Sequence, residues 1–128
     1  MDDTQKELSR YRLYRAALEL QAARSMLAEG NYFKALSCSY YAMFHAARAV
    51  CAMDAYDSKK HSGIIGFFDK HYIATGQLDK RYSRFLHAAF RVRQDSDYED
   101  FYVASREEAE QQVEHAAEFI AAVKKLLR

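Results

Sequence analysis

The sequence predicts an all-α protein, built as an up-and-down four-helix bundle with an additional short helix. Its 128 residues include no proline and only four glycines, so the usual punctuation of strands and tight turns is missing. Several stretches repeat apolar residues every three or four positions, which is the period of an amphipathic helix. The connections between the long helices are short, and short connections favour antiparallel neighbours. One domain covering residues 1–128 accounts for the whole length, which suffices to bury a core without disulfides.

The first helix is predicted from about Thr4 to Glu29, where Gly30 ends it. Apolar residues on one face are its predicted core contacts, namely Leu13, Ala16, Leu20, Ala23 and Leu27. Asn31 is the predicted N-cap of the second helix, which runs to about Asp54.

The second helix is almost entirely apolar or small, which predicts a central position in the bundle. One face is predicted to be core and consists of Phe33, Leu36, Tyr40, Phe44, Ala47 and Cys51. A second face lets another backbone approach closely and consists of Ala35, Cys38, Ala42, Ala46 and Ala49. The third stripe is polar, and at about 100° per residue it comprises Ser37, Tyr41, His45 and Arg48. Polar groups held inside such a helix need partners.

A shorter third helix is predicted from Lys59 to about Ile73, capped by Asp57 or Ser58. Its predicted core residues are Ile64, Ile65, Phe67 and Phe68. Thr75-Gly76 breaks this helix, and we expect it to lie across one end or edge of the bundle.

The last two helices complete the predicted bundle. The fourth runs from about Leu78 to Gln94, and the polar run Asp95-Ser-Asp97 marks its end. The fifth begins near Ser105, which with Glu108 has the form of a capping box. Its apolar residues follow the seam of a bundle helix, at Ala109, Val113, Ala116, Ile120, Val123 and Leu127.

Composition and charge exclude several classes of protein. Nineteen basic and 18 acidic residues give a formal charge of +1, so any nucleic-acid binding must be local. No stretch approaches the roughly 18 uninterrupted apolar residues of a membrane span. The first dozen residues carry charges where a signal peptide is apolar, so we expect a cytoplasmic protein.

The sequence indicates neither a metal nor a cofactor. The Glu-x-x-His signature of di-iron bundles is absent, and its nearest match is Gln112-x-x-His115. Gly63-x-x-Gly66 is too weak a pattern for a phosphate-binding loop. Cys38 and Cys51 are expected about 20 Å apart on one helix, too far for a disulfide.

The strongest local signal for function lies at the predicted end of the fourth helix, in Arg91-Val-Arg93-Gln-Asp-Ser-Asp97-Tyr98. In a functional interpretation Arg93 binds phosphate, and Asp97 or Tyr98 orients the phosphate or the arginine. In a structural interpretation Arg93 pairs with Asp97, and Tyr98 plugs the turn. The local sequence leaves both interpretations open.

The polar stripe of the second helix is another candidate. Because imidazole titrates near neutral pH, Tyr41, His45 and Arg48 suit an acid-base or anion-binding cluster. They equally suit satisfied interior groups or a subunit interface. His61, near the start of the third helix, is a further candidate ligand contact, with a solvated first-turn residue as the alternative.

Three motifs in sequence carry a family resemblance. They are Ser39-Tyr-Tyr-Ala-Met-Phe-His-Ala-Ala-Arg48, then Lys60-His-Ser-Gly63 with Phe67 behind it, then Arg93-x-x-x-Asp97-Tyr98. Together they make the chain resemble the HEPN domain family (higher eukaryotes and prokaryotes nucleotide-binding), in particular its small stand-alone prokaryotic members. The resemblance covers most of the chain.

The resemblance implies a helical bundle that usually dimerises, with a minimal nucleotidyltransferase as frequent partner. Many such pairs behave as toxin and antitoxin. In the ribonuclease branch of the family, an arginine and a histidine separated by four residues form a metal-independent site that is duplicated across the dimer. Here the arginine corresponds to Arg93, but Tyr98 stands at the histidine position. A phenol exchanges protons far less readily than an imidazole near neutral pH, so the resemblance favours binding over cleavage.

The leading hypothesis is therefore a homodimeric HEPN-type module that binds nucleotide or RNA phosphate and serves a nucleotidyltransferase. In it Arg93 holds phosphate, Asp97 orients Arg93, and Tyr98 stacks on the ligand or accepts a nucleotidyl group. The stripe Tyr41-His45-Arg48 lines the same cleft. One alternative is a metal-independent ribonuclease with an altered active site, whose catalytic candidates are Arg93 and Tyr98. Another is a structural dimerisation module without a ligand.

Overall fold

Five α-helices and one π-helical turn make up the fold in the computed structural model, which describes residues 2–128. No strand occurs within that range. The elements are α1 Asp3–Ala28, α2 Tyr32–Ala52, α3 His61–Phe68, a π-helical turn Asp69–Ile73, α4 Lys80–Tyr98 and α5 Arg106–Leu127.

The first two helices are antiparallel and form the largest packing surface. Ser9, early in α1, donates its hydroxyl to the carbonyl oxygen of Ala49, late in α2, at 2.8 Å. Only residues 29–31 connect the two helices, and Gly30 takes a left-handed φ of 80° in that turn. An L side chain rarely adopts this conformation, which accounts for glycine at the end of α1.

A buried amide joins α5 to α2. The Nε2 atom of Gln112 donates to the carbonyl oxygen of Leu36 and to the hydroxyl of Ser39, both at 2.8 Å. Both partners lie in the first half of α2, and Gln112 lies in the first half of α5. The two helices therefore run in the same direction.

Aromatic pairs join α4 to α5. The ring of Phe85 stacks on His115 with centroids 3.8 Å apart, and Tyr82, further back on α4, meets Phe119, further along α5, at 5.8 Å. The two helices are thus antiparallel. The predicted up-and-down bundle is confirmed, with α3 packed against α2.

The central position predicted for α2 is confirmed, because 14 of its 21 residues are buried. Phe33 is the exception on its predicted core face, with 42% of its surface exposed. It lies in the first turn of the helix, where the edge of the Tyr102 ring, at 6.4 Å, covers it only in part.

The fourth helix ends at Tyr98, so the predicted end near Gln94 is wrong. The polar residues after Gln94 are predicted from the sequence to break the helix. They form hydrogen bonds and an ion pair inside the helix instead. The Ser96 hydroxyl donates to the carbonyl oxygen of Arg93 at 3.0 Å, and Arg93 pairs with Asp97 one turn on at 3.5 Å. These contacts extend α4 by one turn and shorten the connection to α5.

Two of the predicted caps are confirmed and one is wrong. Asn31 and Ser105 each accept a hydrogen bond from the backbone N–H three residues on, at 3.2 and 3.1 Å. The cap of α3 is Lys60, which makes no side-chain capping bond, so neither Asp57 nor Ser58 fills this position. Ser58 instead accepts the N–H of Lys60 at 3.1 Å.

The connection from α2 to α3 packs directly on Gly63. A Cβ at this position would lie 2.4 Å from the hydroxyl oxygen of Ser58, closer than van der Waals contact allows. The ring of Tyr56 stacks on Phe67 with centroids 4.0 Å apart, and its hydroxyl donates to the Gly63 carbonyl at 3.4 Å. These contacts fix the connection, which carries Asp57 and leads into His61.

The close approach at Gly63 gives a stability prediction with an internal control. Gly63→Ala is expected to lower the free energy of unfolding by about 1–3 kcal/mol, because the added methyl overlaps the packed connection. Gly66→Ala, on the same helix, meets nothing within 4 Å and is expected to raise stability by about 0.5–1 kcal/mol through helix propensity. Urea denaturation of both variants measures the difference. Equal effects of the two substitutions would show that the connection does not need the glycine.

Candidate functional site

The guanidinium of Arg93 lies over two tyrosine rings of α2. Its central carbon is 4.8 Å from the ring centroid of Tyr41 and 5.8 Å from that of Tyr40, both within the range of a cation–π contact. About 28% of the Arg93 side chain remains exposed, and one of its terminal nitrogens pairs with Asp97 at 3.5 Å. The cation is therefore held by two aromatic rings and one carboxylate, and it remains partly accessible to an anion.

His61 extends this aromatic surface from the first position of α3. Its Nδ1 atom is 2.6 Å from the hydroxyl of Tyr40, and its ring stacks on Phe44 with centroids 4.1 Å apart. Burial raises the pKa of Tyr40, so the phenol stays protonated and donates a hydrogen bond to Nδ1 of His61. Burial, together with the charges of Arg93 and Arg48, lowers the pKa of His61. Neutral His61 then carries its own proton on Nε2, a donor that makes no hydrogen bond within residues 2–128.

His45 lies behind this surface rather than on it. Only 7% of His45 is exposed, and its Nδ1 atom is buried without a hydrogen-bond partner in the part of the chain that the structure describes. Burial lowers the pKa of His45 to about 4, with Arg15 and Arg48 adding to the effect. The side chain is neutral at pH 7, which leaves it unsuited to hold an anion by charge.

Arg48 forms a second cationic cluster further along α2. Asp57 accepts from Arg48 at 3.4 Å and from Arg12 at 3.0 Å, so one carboxylate joins two guanidiniums. Burial opposes the ionisation of Asp57, but the Ser58 N–H and the two arginines outweigh it and hold the pKa of Asp57 below its usual value. Arg48 is therefore held near the predicted site by partners that the sequence analysis did not identify.

The structure separates Asp97 from Tyr98. Asp97 pairs with Arg93, as expected, at 3.5 Å. Tyr98 is 86% exposed and lies five positions beyond Arg93, about 140° around α4. Because the helix continues through Asp97, Tyr98 does not meet the Arg93 surface within one chain. The exposed side chain is accessible to a partner enzyme, as the predicted role of Tyr98 as acceptor of a nucleotidyl group would require.

The structure thus brings together Arg93, Tyr41 and His61 from three helices. We use "aromatic platform" for the ring cluster over which Arg93 lies, in which half-buried Tyr41 and His61 reach the surface and the buried rings of Tyr40 and Phe44 support them. Sequence analysis assigned Tyr40 and Phe44 to the core alone. The phenol of Tyr40 was the available signal, since a buried tyrosine hydroxyl usually needs a partner.

Two further features concern metal binding and membrane spans. Among residues 2–128, no three side chains of histidine, cysteine, aspartate or glutamate come together in a group that could hold a metal. No helix in the same range is both long and apolar enough to cross a membrane.

The fold and the site define a small helical bundle with a part-exposed arginine held over aromatic rings, a description that fits several classes of helical protein. The HEPN domain model matches residues 9–126, nearly the whole chain. The chain therefore belongs to the HEPN domain family.

Similar proteins come from archaea and bacteria. The Methanocaldococcus jannaschii protein named "Putative toxin MJ0142" is 31% identical over 113 residues, which are 88% of this chain and 77% of that protein. A Thermotoga maritima protein named "UPF0332 protein" is 26% identical over 127 residues, covering 99% of this chain and 96% of its own. A Gloeobacter violaceus protein, "UPF0332 protein glr0978", is 43% identical over 84 residues, or 66% of this chain and 67% of its own.

The depressed pKa of His45 predicts a stability change with pH. The unfolded chain binds a proton at a histidine pKa near 6.5, whereas the folded chain does so only near 4. The contribution of neutral His45 is therefore complete above about pH 6.5 and is lost as the pH falls toward 4, by about 1–3 kcal/mol. Denaturant unfolding at pH 7 and pH 5 measures this loss, and His45→Gln should reduce it. An unchanged loss in His45→Gln would mean that another group is responsible.

Proposed function

We propose that this chain is a HEPN-type binding module whose Arg93 and aromatic platform hold a nucleotide or an RNA phosphate. The observation that carries the proposal is the Arg93 guanidinium, 4.8 Å from the Tyr41 ring and part-exposed. An arginine so held presents its remaining donors to a phosphate with little loss of side-chain freedom. Tyr41 and His61, both half-buried, offer the adjacent ring surface on which a base can stack.

The biological setting proposed for this module is a toxin–antitoxin-like pair. Its support is the HEPN family membership and the relative named as a toxin. In this proposal the chain forms a homodimer and acts with a minimal nucleotidyltransferase as its partner. The ligand site lies on each protomer, since Arg93 and the aromatic platform belong to one chain.

Binding is favoured over the ribonuclease alternative by the position of Tyr98. The family's ribonuclease site needs an imidazole five positions after Arg93, and the residue there is a phenol on another side of α4. The imidazole that does lie near Arg93 is His61, whose Nδ1 is already engaged by the Tyr40 hydroxyl. Phosphate binding needs only the guanidinium and its ring support, both of which lie together in one chain.

Isothermal titration calorimetry with AMP and ATP tests the binding site. Arg93→Ala is expected to lower affinity at least tenfold, because the charge-assisted hydrogen bonds to phosphate are lost. Arg91→Ala is the matched control, since Arg91 is an exposed arginine two positions away on the same helix. Its affinity should stay within about twofold of the wild-type value.

Sedimentation of the same samples separates binding from a purely structural role. The proposed module keeps its dimer mass in Arg93→Ala while losing the nucleotide. A chain that binds no nucleotide in the wild-type form, but loses its dimer in Arg93→Ala, would contradict the proposal and support the structural dimerisation module.

A further inference from the structure

The cluster around Asp57 has the composition of a second anion site. Arg12 is only 5% exposed, yet its guanidinium reaches Asp57 at 3.0 Å and also donates to the carbonyl oxygen of Arg48 at 3.1 Å. Arg48 reaches the other carboxylate oxygen at 3.4 Å. Two fixed guanidiniums therefore share one carboxylate, which leaves a net positive charge. The Asp57 side chain is 55% exposed, so the cluster is open to solvent on that side.

Two buried polar atoms beside this cluster have no partner. They are Nδ1 of His45 and Nε of Arg48, which lie three positions apart on α2 and make no hydrogen bond within residues 2–128. His45 is more than nine-tenths buried. Native proteins leave few such atoms unsatisfied, because each costs about 1–3 kcal/mol. The Arg48 guanidinium thus keeps one donor that neither Asp57 nor any other group of residues 2–128 uses.

The Asp57 cluster and Arg93 contact different parts of α2. Arg93 lies over Tyr41, and Arg48 follows Tyr41 by seven positions, which is about 10 Å along the helix axis. The half-buried rings of Tyr41 and His61 belong to the intervening surface. Cations separated by aromatic rings are the arrangement that single-stranded nucleic-acid sites use, with phosphates on the cations and bases on the rings.

We propose that Arg12 and Arg48 form a second phosphate subsite, in which the Asp57 carboxylate occupies the place of a phosphate. The ligand class that follows is a single-stranded oligonucleotide with phosphates at both ends of the aromatic platform, rather than a mononucleotide. This inference rests on the proposed function, since it takes the Arg93 surface as the first subsite. Asp57 holds the two arginines in position in the empty protein and competes with the strand for them.

The test compares AMP with a labelled single-stranded oligoadenylate of six nucleotides, prepared as RNA and as DNA. Fluorescence anisotropy at several salt concentrations gives affinity and its salt dependence. Arg48→Gln is expected to weaken oligonucleotide binding about tenfold and to reduce the salt slope by about 0.7 for the lost phosphate contact. Its affinity for AMP should be unchanged. Arg24→Gln, which removes an exposed cation near the other end of α1, should change neither.

Asp57→Asn provides a variant whose effect misfolding cannot imitate. It removes the competing charge while keeping an oxygen that accepts the Ser58 N–H, so oligonucleotide affinity should rise several-fold with AMP affinity unchanged. Unchanged or weaker oligonucleotide binding in Asp57→Asn would overturn the second subsite. So would equal binding by Arg48→Gln and the wild-type chain. If AMP binding nevertheless depended on Arg93, the proposed function would stand, whereas no binding of either probe to the wild-type chain would remove both.

Discussion

The contact of Arg93 with the rings of Tyr40 and Tyr41 joins the two helices that form the proposed binding site. It ties the C-terminal part of α4 to the middle of α2, at 4.8 and 5.8 Å from the two ring centroids. Without the rings, a side chain on this face of α4 would sample many rotamers in solvent, and its charge would be spread over a wide volume. With them, the guanidinium stays in one place and can hold an anion without first being ordered.

The surroundings of α2 explain how this contact is maintained. The Tyr40 hydroxyl bonds His61 at 2.6 Å, so the ring under Arg93 is fixed from α3 as well as from α2. His61 in turn is positioned by the α2–α3 connection, which packs on Gly63. The site therefore depends on a short, tightly packed segment that contributes little to the core of the bundle.

The sequence predicted the bundle well because helix periodicity and capping are local properties. Asn31 and Ser105 cap their helices as expected, and the apolar seam of α5 is buried at Ala109, Val113, Ala116, Ile120 and Val123. The predicted end of α4 was wrong because polar residues such as Ser96 can form hydrogen bonds in either of two local structures. They favour turns in isolation, but they bond back to the helix when neighbouring side chains permit it. Because α4 continues as a helix to Tyr98, this residue lies on a different side of the helix from Arg93.

The candidate site was predictable only in part, for a similar physical reason. Tyr41, His61 and Arg93 each carried a local signal, and the structure brings them together. Arg12 carried none and Asp57 only the signal of a helix cap, because their pairing is a contact across 45 positions of sequence. No spacing rule reports a contact of that kind. His45 was predicted to belong to the site because it shares a helical stripe with Tyr41 and Arg48. In the structure it is buried in the interior.

A double-mutant cycle on AMP binding tests most directly whether Arg93 and Tyr41 act as one unit. Binding free energies are measured for the wild-type chain, Arg93→Ala, Tyr41→Leu and the double variant. A cation held by its ring predicts a coupling energy of about 0.5–1 kcal/mol between the two substitutions. Effects that simply add, within about 0.3 kcal/mol, would show that the ring does not position the arginine and would contradict the account.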